Sequence, residues 1–144
     1  MTERVVDPRG LRFSAALSVV TLAVALVTEN LWVLGFQLLC FALGTVLGPV
    51  RSPYGLLFRT VVRPRLGPPA ETEPEAPPRF AQAGGLAFTV VAAVGYLTGV
   101  DLLGALATAL ALLAAFLNAA FGLCLGCEVY LLALRLRPSS TRSG

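Results

Sequence analysis

Val24-Ala25-Leu26-Val27-Thr28-Glu29-Asn30-Leu31-Trp32-Val33-Leu34 is the stretch that decides how this chain folds. Its polar centre, Thr28-Glu29-Asn30, interrupts an apolar run from Leu11 to Val50 that is too long for a single membrane-crossing helix of about 20 residues. A second run, from Ala81 to Leu134, is interrupted the same way at Thr98-Gly99-Val100-Asp101. Each run therefore reads as a helical hairpin. The expectation is an all-α, polytopic membrane protein of one domain, with four transmembrane helices near 12–28, 31–49, 83–99 and 102–123. Ser14 to Val27 lacks a small-residue cleavage site and another apolar helix follows at once, so the first helix is expected to be retained.

Composition supports that reading. Hydrophobic residues make up 56% of the chain and charged ones 13%, against roughly a quarter in a soluble domain. Charge placement orients the helices. There is neither Lys nor His, and all eleven basic residues are Arg. Arg4, Arg9 and Arg12 precede the first helix; Arg51, Arg59, Arg63, Arg65 and Arg79 fill the centre; Arg135, Arg137 and Arg142 close the chain. The two hairpin turns hold no Arg, so the positive-inside rule puts both termini and the central loop in the cytoplasm. The net charge of +3 is read as topology and contact with anionic lipid rather than nucleic-acid binding.

The central loop, 50–80, divides in two. From Ser52 to Arg63, apolar residues alternate with arginines at roughly helical spacing, as in an interfacial helix. Tyr54 and Phe58 are expected to dip inward, and Tyr54, Arg59, Arg63 and Arg65 are candidates for docking lipid or a partner. From Gly67 to Pro78 the chain is rich in Pro and acid, which predicts an extended, mobile linker without helix. The segment 124–137 reads as a C-terminal helix and 138–144 as a disordered tail.

The halves resemble each other. Arg12-Phe13 opens the first hairpin and Arg79-Phe80 the second; Ala42 to Pro49 and Ala120 to Cys127 close them, with Tyr54 and Arg59 in one copy and Tyr130 and Arg135 in the other. Such a repeat would be parallel, related by a pseudo-two-fold along the membrane normal. Gly44-x-x-x-Gly48 and Gly122-x-x-x-Gly126 are small-residue patterns that predict close packing of the second helix on the fourth. Where the first copy has Val46 and Pro49, the second has Cys124 and Cys127.

Cys124-Leu125-Gly126-Cys127 is the strongest chemical signal. Thiols three residues apart on a helical turn lie within reach of a disulfide. A reducing cytoplasm argues against a permanent bridge. Zinc would need four ligands, and the chain offers no His and one further cysteine, Cys40, unless a second protomer contributes. The chemistry left is dithiol–disulfide exchange or persulfide carriage, which need a thiolate and a second thiol to resolve the mixed species. Two local structures are open. A helix starting near Cys124 would favour thiolate, whereas an unbroken fourth helix would leave both thiols in apolar surroundings near its end. The plain alternative is that the cysteines only pack.

Asn118, six residues before Cys124, could face the same cavity, and Glu128 works against thiolate. Cys40 reads as a buried small residue nearer mid-membrane. No paired carboxylates, Ser/His/Asp set or phosphate loop is present, and the lack of His argues against haem. No cofactor or metal is expected.

Val6-Asp7-Pro8-Arg9-Gly10, Ser52-Pro53-Tyr54-Gly55, Pro78-Arg79-Phe80-Ala81-Gln82 and Asn118 to Glu128 together resemble the small bacterial membrane proteins of domain of unknown function 4395. The resemblance runs from about Val6 to Arg137. It implies a bacterial inner (plasma) membrane and no established activity, with members encoded near thioredoxin-like and rhodanese-like sulfurtransferase proteins. The Gly-x-Cys segment is also distantly similar to the membrane hairpin attached to some rhodanese domains. Both likenesses point to thiol or sulfane-sulfur handling by analogy. The expected function is thus a relay with Cys124 as nucleophile, Cys127 as resolving thiol and a thioredoxin-like or rhodanese-like cytoplasmic partner, with a homo-oligomer also open. The alternative is a structural or assembly protein, or a small-solute passage.

Overall fold

The computed structural model describes residues 5–67 and 72–136. Two long hairpins carry the fold: α1 (Pro8–Thr28) with α2 (Leu31–Val46), and α5 (Ala76–Leu97) with α6 (Asp101–Phe121). Between them lie α3 (Pro53–Leu57), a π-helical turn (Phe58–Val62) and α4 (Arg63–Leu66), and α7 (Leu125–Arg135) follows the second hairpin. A two-residue antiparallel pairing joins β1 (Val5–Val6) to β2 (Glu73–Pro74).

The polar interruptions work by capping. Glu29 takes the left-handed conformation at the end of α1 (φ 52°) and donates its N–H to the Ala25 carbonyl. Asn30 then starts α2, its side-chain oxygen accepting the N–H groups of Trp32 and Val33. At the front of α1, Asp7 accepts from the Arg9 N–H at 2.9 Å, and Pro8 occupies the first position, where a missing N–H costs nothing. The same tolerance corrects the expected linker. Ala76, Pro77 and Pro78 form the first turn of α5, and Glu73–Pro74 is paired; 68–71 and the expected tail 138–144 lie outside the described residues.

α1 packs on α6, α2 on α5, and the two hairpin contacts close a four-helix ring. The glycine patterns do not join α2 to α6; both lead to α5. Gly44 makes room for the Gln82 side chain, and Gly126 lies so near α5 that an added Cβ would sit 2.5 Å from that of Ala81. The sequence pattern announces a close approach without naming the neighbour.

Arg12 and Arg79 do equivalent work at one end of this ring. The Arg79 guanidinium donates to the Thr45 carbonyl at 2.7 Å and to that of Val46, in the last turn of α2. Arg12 donates to Ala119 at 3.1 Å, and to Ala120, in the last turn of α6. Each hairpin's arginine therefore caps the other hairpin's second helix.

Polarity runs inside out. Trp32 is 89% exposed and Leu102 70%, while Gln37, Thr89 and Thr108 are fully buried. Pro8–Thr28, Ala76–Leu97 and Asp101–Phe121 are long and apolar enough to cross a membrane, and Leu31–Val46 is a shorter apolar helix. The buried threonines return their hydroxyls to carbonyls one turn back, and Gln37 donates to Ser18 Oγ at 3.1 Å. The Tyr54 hydroxyl completes this network, donating to Gln37 Oε1 at 2.9 Å with Thr21 Oγ1 at 2.7 Å. Tyr54 is thus buried in the protein, not offered to lipid or a partner. Phe58 turns inward with it, its ring 5.6 Å from Phe13. Replacing Tyr54 with Phe leaves the Gln37 carbonyl without its donor. The expected cost is about 1–3 kcal/mol, read as a lower unfolding midpoint in detergent; an unchanged midpoint would show that the network does not stabilise the fold.

Candidate functional site

The site begins with a helix break. α6 ends at Phe121, and Gly122 takes the left-handed conformation (φ 69°) that a side chain would resist. The Gly122 N–H bonds the Asn118 carbonyl at 2.9 Å and the Leu123 N–H reaches back to Leu117 at 3.2 Å, which satisfies the last carbonyls of α6. Two residues later the chain turns helical again with Cys124 as the N-cap of α7. Its Sγ accepts the backbone N–H of Cys127 at 3.2 Å. Of the two local structures open to the sequence, this is the helix start. Gly126 against Ala81, and the Phe80 ring 5.5 Å from that of Tyr130, seat α7 on α5.

The two thiols are free, half-buried and unlike. The Cys127 thiol donates toward Cys124 and holds the latter's pKa below that of an ordinary thiol; the backbone N–H groups of Cys127 and Gly126 add to this, and burial opposes it. The same contact pushes the Cys127 thiol up, reinforced by burial and by the charges of Cys124, Glu73 and Glu128. The positive end of α7 acts in the same sense on Cys124. Of the two thiols, Cys124 is therefore the more acidic and Cys127 the less.

Both thiols line a cavity of about 580 Å³ bounded by α1, α5, α6 and the start of α7. Arg12, Glu73, Gln82 and Asn118 contribute polar groups to it, with Phe41 and Leu110 among its apolar walls. Asn118 therefore shares the cavity with the pair, and Glu128 lies in the first turn of α7. Cys40 is buried on α2, away from both. Arg59 and Arg63 border a smaller hollow of about 150 Å³ beside Asp7, and Arg65 is exposed. Among the described residues no group of three or more His, Cys, Asp or Glu side chains is arranged to hold a metal. Sequence reasoning missed Arg12, Glu73 and Gln82 as neighbours of the thiols. They come from three separate segments, and only Arg12 carried any signal, as a topological charge.

These features define an all-helical protein in which three apolar helices reach membrane length and a dithiol stands at a helix N-terminus. The chain belongs to the family described as domain of unknown function (DUF4395), whose profile matches residues 6–135. No curated protein matches it, and no solved structure does.

The asymmetry gives a direct expectation. Iodoacetamide should label Cys124 first, with a rate that rises and levels off at a lower pH than for a free thiol, whose pKa is about 8.5. Cys127→Ala removes the main cause of that depression and should move the Cys124 profile upward. Equal labelling of the two cysteines, read by mass spectrometry, would contradict the assignment.

Proposed function

We propose that the protein is an integral membrane dithiol that relays electrons or sulfane sulfur, with Cys124 attacking and Cys127 resolving. The observation that carries this reading is the Cys124 thiol at the N-cap of α7, held by the Cys127 N–H and facing a cavity. In such a relay the Cys124 thiolate attacks a sulfur of the incoming disulfide or persulfide. Cys127 then attacks the Cys124 sulfur and releases the mixed species. A depressed pKa suits the first role and a retained proton suits a thiol that acts second. Packing alone would not call for an N-cap sulfur, since Ser, Thr, Asp or Asn caps a helix better than a thiol.

The apolar exterior and polar interior support a bilayer as the solvent. Four spans in two hairpins follow if α2 crosses with its neighbours. Its 16 residues make roughly 24 Å at about 1.5 Å per residue, and the turn at Pro49–Arg51 extends it. The reciprocal arginine caps support a parallel repeat of the two hairpins. The arginines gathered at one end of the bundle support a cytoplasmic site for the termini and central segment, in a bacterial inner membrane. Exposed Arg59 and Arg65 would meet a thioredoxin-like or rhodanese-like partner there.

Thiol trapping in cells tests the reading. Wild-type protein, denatured and trapped with maleimide, should switch between a form labelled at Cys40, Cys124 and Cys127 and a disulfide form labelled at Cys40 alone on brief oxidation and recovery, and Cys124→Ser should lose the switch while folding normally. Thiols that stay reduced under oxidant, or that resist an impermeant maleimide in inside-out vesicles, would sink it.

A further inference from the structure

The cavity beside Cys124 and Cys127 opens sideways. Phe88 on α5, Leu110 and Leu113 on α6 and Val129 on α7 line it, yet are between 40% and 52% exposed. Residues that border a cavity and the outer surface at once mark an opening, and here it passes through the apolar flank of the bundle. Polar groups also line it: the Glu73 carboxylate, the exposed Arg12 guanidinium, which also bonds the Ala119 carbonyl, and the half-buried amides of Gln82 and Asn118, neither of which has a side-chain hydrogen bond among the described residues. The volume of about 580 Å³ is that of a small-molecule site.

We propose that this cavity admits a lipid-soluble quinone from the bilayer as the two-electron acceptor of the Cys124–Cys127 pair, an inference that rests on the dithiol reading above. The occupant must be apolar enough to enter through the flank, carry oxygen acceptors for Arg12, Gln82 and Asn118, and take two electrons from a dithiol. An acyl chain fails the last condition and a water-soluble disulfide fails the first.

The step balances without another oxidant. The Cys124 thiolate adds to an electron-poor ring carbon; a C–S bond forms, and the displaced electron pair moves to one quinone oxygen, which takes the proton Cys124 gave up. Cys127 then attacks Cys124 Sγ. The S–S bond forms, the C–S bond breaks with its electron pair returning to the ring, and the second oxygen takes the proton from Cys127. The dithiol is oxidised to a disulfide and the quinone is reduced to hydroquinone.

Reduced full-length protein in lipid nanodiscs, mixed anaerobically with decylubiquinone, should consume one quinone as each Cys124–Cys127 disulfide forms. Diamide, a water-soluble thiol oxidant, is the parallel arm. Gly84 lines the cavity and an added Cβ there meets nothing within 4 Å, so Gly84→Leu is the variant chosen to narrow it. It should slow quinone reduction about tenfold, equivalent to about 1.4 kcal/mol, while diamide still closes the disulfide. Asn118→Leu, the second variant, should raise the KM for decylubiquinone. If diamide forms the disulfide and decylubiquinone does not, the quinone inference fails and the relay stands. If neither forms it, the relay itself fails. Equal quinone rates in wild type and both variants would also overturn the inference.

Discussion

The constraint on which this structure depends is that its outer surface is apolar, so that polar groups have to be satisfied from within. In water a helix end can finish on solvent; beside hydrocarbon an unpaired carbonyl costs several kcal/mol. Nearly every polar feature of the bundle answers that demand. Asn30 and Asp7 occupy N-caps, buried threonines bond the preceding turn, and Gln37, Ser18, Thr21 and Tyr54 close on one another. Apolar packing then fills the remaining interior with small groups such as Ala25, Ala92 and Ala107, which let the helices approach closely.

The dithiol follows from the same constraint. A chain leaving α6 has to satisfy its last carbonyls before it can do anything else; the left-handed turn at Gly122 does so for Leu117 and Asn118, and Arg12 for Ala119 and Ala120. That turn hands the chain to α7 within three residues and leaves a helix N-terminus, with its unpaired N–H groups, beside the cavity. Cysteine in that position becomes acidic because a backbone N–H and a second thiol point at it. At the position that corresponds to Gly122 in the first hairpin, Gly44 lies inside α2, and the next break, at Gly48, runs into a short turn led by Pro49.

How far the sequence could be read varies with the kind of information required. The hairpins were legible because a polar interruption such as Thr28-Glu29-Asn30, set in a long apolar run, supplies the caps that end one helix and start the next. The cysteines were legible as a pair, but their helix-start geometry depended on whether Gly122 broke the helix, and glycine permits both outcomes. Pro77-Pro78 looked like linker because proline usually ends helices, yet in a first turn it fits. Tyr54 looked interfacial because a segment mixing apolar residues and arginine has the same periodicity whether its apolar face meets lipid or protein. Of the cavity only Asn118 beside the thiols was legible: Arg12, Glu73 and Gln82 are brought together by helix order around the ring, which no local pattern encodes.

The reciprocal caps of Arg12 and Arg79 bear on how the chain is made. The guanidinium that closes α2 lies 33 residues beyond Val46, and Arg12 waits for a helix end that appears more than a hundred residues later. Neither hairpin is therefore finished as a separate unit, since each leaves helix-end carbonyls that only the other hairpin's arginine reaches.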